Sequence, residues 1–403
     1  MLSRYRKLIS LTFILILFSS IMSGCISPDS PDNDKKPKGF ELLELEETIP
    51  VAISLTQPKF DPEPEINSSI HYTIGNTIAS WYFEKNTVYT NFGGTIKVFV
   101  QNNGSRDIYV YRIGIKPAWE VEDFENITRD NIVFSEAGKL INASEKQYLG
   151  MIYFPGPNRA GNYDYSITFS AYQQNETGFW NDCGVQTGNA KIITIAELPI
   201  KSEYTQHYNV RQYYDKINEI VEPTNKKVIK LSRQIAGAFP GPFNINQVCA
   251  LFDYVNTHIK YISDPSSTEN YWCTPEETLE LGGDCEDFST LLASMIISIG
   301  GSVRIYLTDS HAFLSVYIGN VTTLASLTSA IEKYYHADLQ LFWFEDELGL
   351  WLILDSIGSL YPGGLPLGAA PEMKIYNADI RSYSWRWEFT ETESLHIVDV
   401  IPK

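Results

Sequence analysis

The sequence predicts an α+β chain in which an all-β region comes first, followed by helices and then strands. Two changes of pattern carry that prediction. From about residue 48 to 197, short alternating or β-branched runs such as "TIASWYFE", "GTIKVFVQNNGS", "DIYVYRIGIK", "KQYLGMIYF" and "YDYSITFSAY" are broken by turn chemistry like "NNGS" and "GPNRAGN". After "AELPIKSEY" the period changes. Apolar residues in "YNVRQYYDKINEIV", "NKKVIKLSRQIAGAF" and "NINQVCALFDYVNTHIKYI" recur at helical spacing. Strand-like "SVRIYLT", "HAFLSVYIG" and "GLWLILDSI" come after them, and helices before strands is the order of an α+β region.

At 403 residues the chain has room for two domains, and its 44% hydrophobic content is that of a globular protein. Residues 48–197 show no long helical period and read as an antiparallel β-sandwich of immunoglobulin-like type. No residue cluster there points to chemistry, so this region reads as a spacer or binding module. The second region, residues 198–403, opens with the helices. "TPEETLEL" carries a Thr cap and acids in its first turn, as a helix start should. Leu324, Leu327, Ile331, Tyr334 and Tyr335 share one helical face, so "TTLASLTSAIEKYYHADLQLF" reads as an amphipathic helix inserted between two strands. An extra structural layer is its commoner role, and shaping a cleft is the other.

The first residues carry an address. "MLSRYRK" is a basic n-region, "LISLTFILILF" an apolar h-region, and "IMSGC" ends in small residues before Cys25. The apolar run is short for a membrane span. Residues 1–24 therefore look like a lipoprotein signal, with lipid carried on the Cys25 thiol. Residues 25–47 contain "ISPDSPDNDKKPKGF", which is rich in Pro, Asp and Lys and reads as a flexible tether. Sequons begin at Asn67, Asn103, Asn126, Asn142, Asn175 and Asn320, and together with the signal they predict a glycosylated chain lipid-anchored on the extracytoplasmic face of the cell membrane. The formal charge of -18 argues against a nucleic-acid partner, because no basic stripe offsets phosphate repulsion. With Cys25 lipidated and Cys285 reactive, Cys183, Cys249 and Cys273 leave at most one disulfide, so no disulfide scaffold is expected.

Cys285 stands in "LGGDCEDFSTLLASMIISIGG", where a helix begins. Phe288, Leu292, Met295, Ile296 and Ile299 form an apolar stripe that Cys285 shares, a geometry that suits a buried cysteine as well as a nucleophile. Gly282 and Gly283 allow a sharp turn before the helix, and Asp284 is a good N-cap. The positive end of the helix dipole and its unpaired N–H groups favour a thiolate and can hold an oxyanion. Asp284, Glu286 and Asp287 act the other way, raising the thiol pKa, so an imidazolium partner is needed. His311 opens a strand directly after the turn "TDS", and Asp355 closes the strand "LWLILD", where an acid can fix an imidazole tautomer. Nucleophile, base and orienter appear in the order Cys, His, Asp.

The stretch "YISDPSSTENYWCTPEETLELGGDCEDFSTLLASMIISIGGSVRIYL", with "HAFLSVYI" and "LWLILDSI" after it, resembles the transglutaminase-like superfamily. The shared features are a G-D-C-x-D helix start, a His-Ala-aromatic strand and a strand-terminal Asp. The likeness covers about residues 244–357, with the helices from about 205 a looser fit. It implies a papain-like core of helices packed on an antiparallel sheet, with Cys285 as nucleophile, His311 as base and Asp355 as third member. Two departures stand out: Phe313 takes the place of the usual Trp, and Ser356 rather than Pro follows the Asp. Related folds place an aromatic or amide donor upstream of the cysteine to hold the oxyanion, which makes Trp272 the oxyanion or cleft candidate.

Of the remaining histidines, His258 sits near a helix end, His336 lies on the insertion, and His71, His207 and His396 have no partners visible in sequence. No spacing resembles a zinc site, no EF-hand loop appears, and neither metal nor cofactor is expected. The expected function is thiol acyl transfer on a protein or peptide substrate, hydrolytic by the resemblance. An amine-accepting cross-linking enzyme and a non-enzymatic surface binding module are the alternatives.

Overall fold

The computed structural model describes residues 77–82, 87–121, 124, 126–264, 271–377 and 382–401. Cys25, Asn67, His71, the signal segment and the tether lie outside the described residues. The described residues all belong to one compact unit.

Among the described residues, the first half is built from strands alone. They are β1 (Thr77–Tyr82), β2 (Val88–Tyr89), β3 (Gly94–Asn102), β4 (Ile108–Pro117), β5 (Val133–Ile141), β6 (Lys146–Phe154), β7 (Gly161–Gln174), β8 (Trp180–Thr187) and β9 (Lys191–Ala196). One sheet has the order β1-β3-β6; the other runs β2-β9-β7-β4-β5, with β8 also on β7. The two sheets share an apolar core that includes Ile96 and Val98 of β3, Ile152 of β6, Ile113 of β4 and Ile167 of β7. Alternating side chains of β3, β4 and β7 fill it, which is why the period-two pattern was visible in the sequence.

The second half follows with β10 (Thr205–Tyr208), then helices α1 (Arg211–Ile220), α2 (Lys226–Ala236), α3 (Ile245–His258), α4 (Pro275–Leu281) and α5 (Cys285–Ser298). After them come β11 (Val303–Leu307), β12 (Ala312–Tyr317), α6 (Val321–Tyr335), β13 (Trp343–Asp346), β14 (Gly349–Leu354), the ribbon β15 (Ala369–Asn377) and β16 (Ser382–Phe389), and β17 (Ser394–Asp399). Their sheet has the order β10-β17-β11-β12-β14-β13, antiparallel except for the β10–β17 pair. Among the described residues no helix is long and apolar enough to cross a membrane.

Local chemistry sets the helix starts. Asn244 and Gln247 form a reciprocal capping box at α3, and Thr274 with Glu277 does the same at α4, where Pro275 occupies the first helical position. Helix α5 differs from expectation. Its residues from Glu286 to Met295 and Ile296 are buried on every side rather than along one stripe, because helices cover it on one face and β11 and β12 on the other. The hydroxyls this buries turn back to the helix: Ser294 donates to Thr290 O at 2.7 Å and accepts the Glu222 N–H at 3.0 Å.

The inserted helix α6 buries Leu324, Leu327, Ile331 and Tyr335. Tyr334 and Tyr335 donate to Asp253 of α3 at 3.1 and 2.8 Å, so α6 is a layer against α3. Strand β17, from the end of the chain, enters the sheet between β10 and β11. It is fastened by Arg304, whose buried guanidinium donates to Asp399 and Asp346, each at 2.6 Å, and lies 3.9 Å from the Trp351 ring. A third apolar cluster joins Phe92 and Tyr153 of the first half to Tyr306, Phe313, Phe342 and Phe389 of the second.

Candidate active site

The glycine turn before α5 is held by a short backbone ladder. Gly283 N–H donates to Lys260 O at 3.1 Å, and Ile262 N–H donates to Gly283 O at 2.8 Å. Gly282 has φ +92, and a Cβ there would sit 2.2 Å from Lys260 O, so only glycine fits this approach. Asp287 completes the turn: its buried carboxylate accepts Cys273 N–H at 2.7 Å and Asp284 N–H at 3.2 Å. The turn thus delivers Cys285 to the first position of the helix.

Asp284 holds the N-cap position of this helix with extended backbone, as expected, and forms a reciprocal capping box with Asp287, the residue whose carboxylate accepts its N–H. Burial, a hydrogen bond to Glu286 and the Glu286 charge push the Asp284 carboxyl up to about 8. Cys285 is also engaged. Its S–H donates to Glu286 Oε2 at 3.1 Å. Burial, then the charge and hydrogen bond of Glu286, hold the thiol well above the ordinary range, while the Ala312 N–H directed at the sulfur acts against them.

That Ala312 N–H places the sulfur beside the residue that follows His311. The backbone of His311 is pinned by Thr308, whose hydroxyl accepts its N–H at 3.0 Å and whose N–H donates to its carbonyl at 2.8 Å. The imidazole, in a residue only 6% exposed, bonds through Nε2 to Asp355 Oδ2 at 2.7 Å, leaving Nδ1 as the other ring nitrogen. Phe313 stacks near the same ring, 6.1 Å between centroids and 17° from parallel. Burial opposes charge on His311, but Asp355 and then Glu286 outweigh it and raise its pKa. Asp355, 2% exposed, also accepts Ile357 N–H at 3.1 Å, Gly358 N–H at 2.9 Å and Leu367 N–H at 2.8 Å. Burial alone would raise Asp355; His311 and these backbone donors more than reverse it, and its pKa is lowered.

No family model matches the chain, and no curated protein does. Solved structures do. A candidate cysteine protease from Cytophaga hutchinsonii matches over 80% of this chain and 86% of its own, at 12% identity and a TM-score of 0.23. A candidate protease from Parabacteroides distasonis matches over 60% of this chain, which spans 64% of that one, at 9% identity and a TM-score of 0.23. The PapD-like domain 7 of human CEP192 matches 34% of this chain and 98% of its own, at 12% identity and a TM-score of 0.16.

The structure therefore brings His311 and Asp355 into direct contact and puts Cys285 at the adjacent helix start, with its hydrogen bond sent to Glu286. Trp272 is buried, its indole Nε1 has no hydrogen-bond partner, and the Lys216 ammonium lies 4.3 Å from its ring. Cys183, Cys249, Cys273 and Cys285 are free thiols. His258 ends α3 stacked on Tyr254, and His336 caps α6 in the left-handed region. His207 and His396 are partners after all: paired strands β10 and β17 stack their rings 4.9 Å apart, a contact between distant segments.

Of the sequons, Asn103, Asn142 and Asn320 are exposed and Asn175 is half-buried. The Asn126 amide is hydrogen-bonded to Asp338. What sequence reasoning missed is the clamp on each partner: Thr308 on His311, and the Gly358 and Leu367 N–H groups on Asp355. Backbone donors leave no residue-type signal.

Proposed function

We propose that this protein is a cell-surface thiol acyl-transfer enzyme of transglutaminase-like type that hydrolyses amide or peptide bonds through a Cys285 thioester. The observation that carries this reading is the buried His311–Asp355 pair, with the N–H of the next residue, Ala312, directed at the Cys285 sulfur. Asp355 fixes the tautomer and stabilises imidazolium. His311 Nδ1 takes the thiol proton, Cys285 Sγ attacks the substrate carbonyl, and the helix N-terminus stabilises the oxyanion. His311 then protonates the departing amine, and water, activated by the same imidazole, releases the acid from the thioester.

In this reading residues 198–403 are the transglutaminase-like domain, residues 48–197 an immunoglobulin-like sandwich that acts as spacer or binding module, and Trp272 a donor to the cleft. A library of peptide vinyl sulfones with free amino termini, resolved by mass spectrometry, tests the chemistry. Label is expected on Cys285 ahead of Cys183, Cys249 and Cys273, and peptide turnover is expected to vanish in Cys285→Ala. Turnover surviving in that variant would end the proposal.

The location is proposed on the sequence "MLSRYRK…IMSGC": a lipid on Cys25 anchors the chain to the outer face of the cell membrane. Metabolic labelling with a fatty acid is expected to mark the wild-type chain and not Cys25→Ser. Equal labelling of the two, or none of either, would refute the anchor.

A further inference from the structure

The polar atoms around the Cys285 thiol are incompletely satisfied. Asp284 Oδ1, Glu286 Oε1 and Trp272 Nε1 are buried with no hydrogen-bond partner. Their residues are only 8%, 6% and 8% exposed. An unpartnered buried polar atom is costly, and two on the residues either side of Cys285 call for an explanation. One carboxyl oxygen from each of Asp284 and Glu286 falls within 4.8 Å of the Cys285 sulfur and of the other, so both carboxyl groups sit at the thiol. The unused positions on the residues that flank the cysteine are two carboxyl oxygens that want N–H donors.

Charge narrows the class of ligand. Facing Glu286 are Asp284 from the turn, Asp287 from its own helix, His311 from the start of β12 and Lys216 from α1, with Asp264 acting on Asp284 and Lys216. The protein's own ammonium, Lys216, is seated over Trp272 at 4.3 Å rather than on either orphaned oxygen. An ammonium group offers N–H donors to both orphaned oxygens and a positive charge to the acids gathered there; an anionic group offers neither.

We propose that Glu286 is a gate on the nucleophile: at rest it accepts the Cys285 S–H, and an ammonium group carried by the acyl substrate binds the Asp284–Glu286 pair and releases the thiol. The proposal rests on the nucleophile–base reading above and adds its substrate class, an acyl compound with a primary ammonium near the scissile carbonyl, as at a peptide amino terminus. The exchange balances. Ammonium N–H bonds replace the S–H bond to Glu286 Oε2, the thiol proton passes to His311 Nδ1, and a thiolate–imidazolium pair results. No proton is gained or lost overall. Free of substrate, the thiol stays protonated and unreactive, which protects an exported cysteine from oxidation.

Iodoacetamide alkylation of Cys285, followed by mass spectrometry in EDTA from about pH 6 to about pH 10, tests the gate. Removing the carboxylate in Glu286→Gln is expected to move the profile roughly one unit to lower pH, about tenfold faster alkylation near neutrality. n-Butylammonium is expected to accelerate the wild type saturably and leave Glu286→Gln unmoved, with n-butanol inert on both. Glu286→Ala repeats the shift if the Gln variant does not fold. An unmoved profile in the folded variants, or no response of the wild type to n-butylammonium, overturns the gate. His311→Ala run alongside keeps the two ideas apart: if it leaves alkylation unchanged while Glu286→Gln accelerates it, the base assignment fails and the gate stands.

Discussion

His311→Ala is expected to slow acylation of Cys285 by peptide substrates roughly 10²–10⁴-fold, the usual contribution of a positioned general base. The loss should exceed that average for a physical reason. Burial and the Glu286 carboxylate hold the Cys285 thiol well above its ordinary pKa, so the helix terminus alone does not furnish a thiolate at neutral pH. In the proposed mechanism the imidazole receives the proton, and Asp355 lies on its Nε2 through a 2.7 Å bond. Single-turnover kinetics on a peptide ester and on the matching amide would measure it. The amide should suffer more, because its leaving amine needs the proton that His311 returns. A loss under about tenfold on both would assign His311 to structure alone.

Asp355→Ala is expected to cost about 3–5 kcal/mol of folding stability, the range for removing one partner of a buried charge pair. The substitution strands His311 Nε2 and also frees the Ile357, Gly358 and Leu367 N–H groups that the carboxylate accepts. The loss should depend on pH in a defined way. The folded-state pKa of His311 is raised, so its share of stability is full below the unfolded value of about 6.5 and fades as pH rises through the higher folded value. The folded-state pKa of Asp355 is lowered, so its share is full above the unfolded value of about 3.9 and fades as pH falls through the lower folded value. The wild-type advantage over Asp355→Ala should therefore be greatest between those two unfolded values. Urea unfolding across pH measures the difference. A difference under about 1 kcal/mol throughout that window would show that the pair does not hold the site together.

Much of the fold was legible because it depends on local periodicity. The starts of α3 and α4 were written in Asn244–Gln247 and Thr274–Glu277, where capping needs only neighbouring residues. Strands β3, β4 and β7 announced themselves by alternation, since each buries one face in the core of the first half. Less could be read where a segment's environment is set by remote chain. The stripe drawn on α5 became a helix buried all round, because Ser294 and Thr290 find partners within the helix and on the α1–α2 connection. His207 and His396 lie far apart in sequence and meet only because β17 enters the sheet beside β10.

The candidate site divides the same way. The sequence by itself determined the identities and order of Cys285, His311 and Asp355, the glycine turn, and the acids crowding the thiol, all features of residue type and near spacing. Only the tertiary structure decided which imidazole nitrogen meets Asp355, that backbone N–H groups fasten that carboxylate, and that the thiol hydrogen goes to Glu286. Adjacent residues on a helix do not normally face each other, so a Cys285–Glu286 bond cannot be inferred from their spacing. It arises in the first turn of the helix, where the thiol and the buried Glu286 carboxylate come within hydrogen-bonding distance.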